Sequence, residues 1–187
     1  MQVERIREAA DLEEIYVLRV DAWRSRNDKF PAIGRWYDPD DEQSVHWGVR
    51  DGGQIVAAAR MSIHETIASV PSAEIFDGLF HPALSGRIAA LNRLVVARSH
   101  RGRGYSQALD EVRIAYAREA GCRHVIGETD AGRNRIRQLG LLGFEAVGTA
   151  RPYRSGPLAI VKNIDERAGD DGHRLGTVVH LRLAPEE

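Results

Sequence analysis

Cysteine is all but missing from this chain of 187 residues: Cys122 stands alone, so no disulfide can form within it. Sitting after Gly121 and before an apolar run, it reads as a small buried hydrophobe rather than a nucleophile. Long apolar stretches are missing too, and none reaches the length a bilayer-spanning helix needs. The opening MQVERIREAADLEE is charged and lacks the apolar core of a signal peptide, so the expectation is a cytoplasmic protein with no membrane partner. An excess of one charge is absent: 26 Lys and Arg face 27 Asp and Glu, a formal net charge of −1. That removes the electrostatic case for nucleic acid, and any phosphate site must be local. The seven histidines show no H-E-x-x-H or paired spacing, and His64-Glu65 does not continue into one, so no metal is expected. No Gly-x-Ser-x-Gly elbow occurs. No Walker loop occurs either, in a chain with few lysines.

What is present is the balance of an ordinary globular protein, 43% hydrophobic and 28% charged, with no repeat or linker, so residues 1–187 read as a single domain. Residues 2–7 read as a short strand. Asp11 and Glu14 have capping-box spacing, and Leu12, Ile15, Tyr16, Leu18, Val20 and Trp23 give a helix to about Arg24. Residues 25–43 read as an irregular loop. Val45, Trp47 and Val49 alternate with polar or small residues, Asp51-Gly52-Gly53 is a turn, and Ile55 to Ile63 returns as a hairpin. Residues 64–87 read as a lid-like insertion. Then come a strand at 91–96, a helix from about 104 to 120 closed by Gly121, and a strand at 124–128. A short helix at 133–142 is closed by Gly143, and strands at 144–151 and 177–183 flank a polar loop. The order predicts a mixed α/β domain, antiparallel first and parallel in the middle.

The most informative segment is the turn joining the 91–96 strand to the next helix. Gly102 and Gly104 stand at the helix entrance among Arg98, Arg101 and Arg103. A helix N-terminus presents unpaired N–H groups, glycine admits a bulky anion, and arginines add charge, a combination suited to a pyrophosphate. A dinucleotide fingerprint fits less well: Gly102-Arg103-Gly104-Tyr105-Ser106-Gln107 ends in Gln, and His124 stands where an acid is required. Taken alone, a helix entered through a glycine-rich turn explains the segment equally well.

Residues 91–144 resemble motif A and the following helix of the GNAT superfamily of acyl-CoA-dependent N-acyltransferases. Leu94-Val95-Val96, then Arg101-Gly102-Arg103-Gly104, match the strand and turn, and Asn134 with Leu142-Gly143-Phe144 match the downstream helix. The resemblance implies a GNAT-like fold: a central mixed sheet of about six to seven strands flanked by helices. It implies acetyl-CoA as cofactor, bound by Leu94, Val95, Val96, Arg101, Gly102, Arg103, Gly104, Tyr105, Ser106 and Asn134. The reaction it implies is direct attack by a primary amine of a small molecule or peptide, within a ternary complex; a homodimer is one expected assembly. Two positions depart from the pattern. Ser99 stands where Gln or Arg is usual, and Leu139 stands where many members carry the tyrosine that protonates the departing thiolate.

Glu128, at the end of the strand where the family opens its acceptor cleft, is the expected base, and Tyr153 the expected replacement acid. His64 is a lesser candidate. A backbone N–H near Val96 is expected to stabilise the oxyanion. Asn92 and Arg93 alternate along the strand, so one of them is expected to face the cleft. Two other readings stay open. Asn92-Arg93-Leu94-Val95-Val96 and the Ile15–Trp23 helix are similar to autoinducer and N-acyl amino acid synthases, which use longer acyl donors, although Ala90 and Asn92 replace their Glu and Ser. Leu139 motivates a non-catalytic acyl-CoA-binding module.

Overall fold

The hairpin expected around Asp51-Gly52-Gly53 is present, with β2 at Val45–Asp51 and β3 at Gln54–His64 pairing antiparallel. Gly52 and Gly53 take φ of 59° and 85°, the left-handed values that glycine adopts without strain. The computed structural model of the chain describes residues 1–130, 132–162 and 175–184. Two compact units are distinguished within it. One comprises Met1–Ser62 and Leu91–Tyr116, the other Ile63–Ala90 and the described residues from Ala117 onward.

In the first unit β1 (Glu4–Ile6) pairs antiparallel with β2, and the strand order runs β1-β2-β3-β4, β4 spanning Ile88–Val96 with its residues from Leu91 onward in this unit. The alternation in β2 predicts one covered face, yet His46 and Gly48 are buried along with Trp47 and Val49, so both faces are covered. β3 goes further, with every residue from Ile55 to Ser62 buried, as expected of a strand packed on both sides. Helix α1 (Ala9–Arg24) lays Ile15, Tyr16, Leu18 and Ala22 into a cluster with Ile6, Ile55, Ala58 and Val95. Its start differs from expectation. The Asp11–Glu14 capping box does not form, because α1 begins at Ala9 and both acids bond elsewhere. Asp11 pairs with Arg50 at 2.6 Å, and Glu14 Oε1 accepts the Ile55 N–H at 2.7 Å. The 25–43 segment holds one short 3-10 helix, Pro39–Gln43. Helix α2, Tyr105–Glu119, follows β4.

In the second unit the strand order is β5 (His124–Thr129), β7 (Thr177–Arg182), β6 (Glu145–Thr149), and both pairings are antiparallel. Helix α3 (Gly132–Leu141) ends as the sequence requires. Gly143 takes φ 90°, its N–H bonds Gly140 O, and the Phe144 N–H bonds Leu139 O, the paired pattern of a Schellman cap. The Leu-Gly-Phe spelling is thus explained by helix termination, with Phe144 buried beyond it. One element was not expected. Within the predicted polar loop, α4 spans Gly156–Lys162 and buries Leu158 and Val161. Residues 163–174, the rest of that loop, lie outside the described residues. The 64–87 insertion holds two 3-10 turns, Ile67–Ser69 and Ala73–Phe76. Among the described residues no helix is long and apolar enough to cross a membrane.

Candidate active site

Where β4 ends, the Ala97 N–H bonds Val56 O at 2.8 Å and fixes the chain as it enters the turn. Gly102 and Gly104 then take φ of 79° and 81°, and a Cβ at either would meet nothing within 4 Å. The backbone therefore faces open space in a conformation that suits glycine. Ala108 is the first residue of the helix whose N–H closes back, onto Gly104 O at 3.1 Å. The amides before it in α2 have no intrahelical acceptor, and the helix dipole adds a partial positive charge there. Such an arrangement suits an anion.

The side chains around it divide. Arg101 donates to Ala22 O at 3.1 Å and to Ser25 Oγ at 2.7 Å, so its fork holds the C-terminal end of α1. Burial, then the charges of Arg26 and Arg98, lower its proton affinity. Arg103 stays exposed, 3.7 Å from Asp51, and Arg98 is exposed as well. His100 Nε2 lies 3.0 Å from Asp51 and its Nδ1 2.8 Å from Ser99 Oγ. Ser99, at the position where the family uses a longer donor, is thereby engaged with its neighbour. Tyr105 and Ser106 open α2 half-buried, and Leu94, Val95 and Val96 lead into the turn with Val95 buried.

Upstream, Arg93 takes φ 52°, a left-handed value that costs a long side chain about 1–2 kcal/mol. Its consequence is local: alternation along β4 is broken, and Asn92 and Arg93 join the same polar network instead of opposite faces. Asn92 Oδ1 accepts from Arg60 Nε, and Arg93 Nε donates to Asp38 Oδ2, both at 2.5 Å. Asp41 is the centre of this network. It accepts both Arg19 terminal nitrogens at 2.8 Å, Arg60 Nη1 at 3.0 Å and His46 Nε2 at 2.9 Å. Burial alone raises the Asp41 pKa, but the bonds from His46 and Arg19 and the charges of Arg19 and Arg60 outweigh it and hold it well below the usual range. Asp38 is lowered likewise: burial opposes, and the Arg93 charge and hydrogen bond prevail. Within the run Asp38, Asp40, Asp41, Glu42, the carboxylates of Asp38 and Asp41 are thus compensated from within by Arg19, Arg60 and Arg93.

In the second unit Glu128 and Tyr153, the two expected catalytic residues, are brought together. The Tyr153 hydroxyl donates to Glu128 Oε2 at 3.0 Å. A third group joins them that the sequence reading missed: Lys162 Nζ, on α4, donates to the same Oε2 at 2.5 Å. The side chains of Glu128 and Lys162 are each 6% exposed, and Asp130 lies 3.8 Å from the ammonium. Glu128 Oε1 is buried with no hydrogen-bond partner among the described residues. It lies against Gly176, where any Cβ would collide with it. The one available signal for Lys162 was scarcity, since the chain has two lysines. Leu139 is buried, a core residue of this unit, and Asn134 is exposed near the start of α3. Among the described residues no group of three or more His, Cys, Asp or Glu is placed to hold a metal.

A strand, an open glycine turn and a helix entered by free amides, within a fold of seven strands and four helices among the described residues, define an acyltransferase of the GNAT type. Residues 12–144 match the Acetyltransferase (GNAT) family, and the chain belongs to that family. No curated protein matches the sequence. Solved structures similar to it include the ribosomal-protein-S18-alanine N-acetyltransferase from Escherichia coli. That alignment has 16% identity and TM-score 0.60, and covers 100% of this chain and 97% of that one. An N-acyl amino acid synthase from uncultured soil microbes aligns at 9% identity with TM-score 0.67, covering 97% and 90%. A Bacillus subtilis acetyltransferase in complex with CoA aligns at 13% identity with TM-score 0.59, covering 98% and 99%. At these identities the likeness is one of fold, and the mixed α/β architecture expected from the sequence is the one the chain adopts.

Proposed function

We propose that the chain transfers an acetyl group from acetyl-CoA to a primary amine of a small molecule or peptide, by direct attack in a ternary complex. The observation that carries this reading is the cradle at 102–107: left-handed glycines with open space before them, leading into unpaired helix amides. A pyrophosphate suits it by charge and by the absence of side chains that obstruct approach. Gly102, Gly104, Tyr105 and Ser106 contribute backbone, Arg103 contributes charge, and Arg101 fixes the turn. Leu94, Val95 and Val96 are the strand along which the acyl arm lies, and Asn134 is assigned to the cofactor by the family pattern. The CoA carried by the Bacillus subtilis acetyltransferase supports coenzyme A as the carrier of the acyl group.

In the reaction the amine nitrogen bonds the acyl carbon, the carbon–sulfur bond breaks, the nitrogen loses a proton and the thiolate gains one. Glu128 is the proposed acceptor of the first proton and Tyr153 the donor of the second. They are two ends of one hydrogen bond, so a proton taken at the carboxylate can leave through the phenol. Lys162 supplies the positive charge that keeps the buried carboxylate compensated.

A donor with a longer acyl chain is a second reading, favoured by the alignment with the N-acyl amino acid synthase. Thiol release from acetyl-CoA and octanoyl-CoA, each with a panel of amines, separates the two. Acetyl-CoA is expected to raise the melting temperature and to release thiol in an amine-dependent way. No thermal shift at saturating acetyl-CoA and octanoyl-CoA would sink the assignment of the turn, and binding without turnover would remove the roles of Glu128 and Tyr153.

A further inference from the structure

Among the described residues only two that are not glycine have positive φ, and one of them, Arg93, lies inside a strand. A long side chain does not take that conformation by itself, so its surroundings must impose it. The contacts on the guanidinium are specific. Its Nε donates to Asp38 Oδ2 at 2.5 Å, and its Cζ lies over the Trp36 ring, 4.6 Å from the ring centre. The arginine is 12% exposed and Asp38 16%.

Asp38 is itself held from several sides. It starts the Pro39–Gln43 turn in a reciprocal box with Asp41. Its Oδ1 takes the Trp36 indole N–H at 3.2 Å, and its Oδ2 lies 3.3 Å from Arg60. Asp41 beneath is clamped by Arg19 from α1, Arg60 from β3 and His46 from β2. The loop residue that grips Arg93 is thus fixed to three regular elements.

We infer that Asp38, backed by Trp36, is a positioning residue: it holds Arg93 left-handed and thereby aims the amides of Leu94, Val95 and Val96. This rests on the proposed function, which lays the acyl donor along those residues. A residue placed out of alternation bends its strand and re-aims the peptide units that follow, the usual effect of a bulge. The acidic loop therefore acts on the reaction without touching substrate. A merely structural role for Asp38 would be indifferent to the residue at 93. A positioning role disappears once residue 93 adopts φ 52° without help, which glycine does.

The test compares Asp38→Asn in two backgrounds, native and Arg93→Gly. The amides of Leu94–Val96 are followed by 15N–1H correlation spectra, and kcat and acetyl-CoA Kd by thiol release and titration, with spermidine and an amino-acid mixture as acceptor probes. In the native background Asp38→Asn is expected to move the three amides and to lower kcat about tenfold, with Kd within twofold. In the Arg93→Gly background the same change is expected to leave the amides in place and kcat within threefold. Equal displacement in both backgrounds, or none in either, overturns the inference. If Asp38→Asn does not fold, Arg93→Ala against Arg93→Gly decides, since both leave the acidic loop intact. Displaced amides in the alanine variant alone support the latch, and identical spectra overturn it. Loss of the functional reading shows separately, as a wild type that neither binds nor turns over acetyl-CoA, and the spectra still decide the role of Asp38.

Discussion

The two units bury a carboxylate in opposite ways. Asp41 in the first has both oxygens occupied by donors from Arg19, Arg60, His46 and the Asp38 backbone. Glu128 in the second has one oxygen doubly occupied, by Tyr153 and Lys162, and the other with no partner among the described residues. A carboxylate whose every lone pair is taken has one arrangement and no vacancy for chemistry. A half-occupied one is the less stable design and leaves an oxygen available to another donor. The first is architecture, and the second is the carboxylate to which the proposed function gives a role.

The strongest way to break the comparison is Asp41→Ala, which leaves two buried arginines facing each other. A loss of about 3–5 kcal/mol is expected in urea unfolding, as for other one-sided cuts of buried ion pairs; a loss under about 1 kcal/mol would mean that the network contributes no stability. Glu128→Gln keeps the shape and removes the charge. Amine-dependent thiol release should fall roughly a hundredfold while acetyl-CoA affinity holds, because general acid–base groups contribute on that scale. Unchanged turnover would return Glu128 to a structural role. Gly104→Val puts a branched side chain into the open space before the cradle. Acetyl-CoA affinity should drop about tenfold by titration, with a fold still cooperative in a thermal melt. Equal affinity would place the anion elsewhere.

The smallest effect is a dependence on pH, and it sharpens the comparison within the second unit. His180 is lowered by burial first and then by the charge of His124, whose Nδ1 lies 3.0 Å away. A depressed folded pKa means that the unfolded chain binds the proton more readily, so stability is complete above the unfolded value of about 6.5 and declines as pH falls below it. Asp38 and Asp41, also depressed, add a second decline below about 4. His180→Asn should abolish the first decline and leave the second, as read by denaturant midpoints across pH 2–8.

Much of the fold was legible because periodicity and punctuation are local. The hairpin announced itself through Asp51-Gly52-Gly53, and α3 through its glycine cap. Helix α4 was missed because seven residues beginning Gly156-Pro157 carry two buried apolar positions and little else. The start of α1 was misplaced because Asp11 and Glu14 bond to Arg50 and Ile55, partners some forty positions away that no local rule reaches. The cradle glycines could be read for the same local reason as the hairpin. The meeting of Glu128, Tyr153 and Lys162 could not, since sequence gives no distance between groups 25 and 34 positions apart. Nothing in Asn92-Arg93-Leu94 marks a left-handed arginine, because the cause lies in the loop around Trp36 and Asp38.

Arg101 ties the cradle to a place far from it in sequence. Its grip on Ala22 and Ser25, the latter 76 positions away, makes the last turn of α1 the footing of the glycine turn. The same arginine that the motif spelling offers to a ligand is already committed to a helix end, where it complements the negative pole of the α1 dipole. Variation at Ser25, a residue with no chemistry of its own, is therefore transmitted to the neighbourhood of Gly102. Ser25, outside the motif, is one of the residues on which the motif stands.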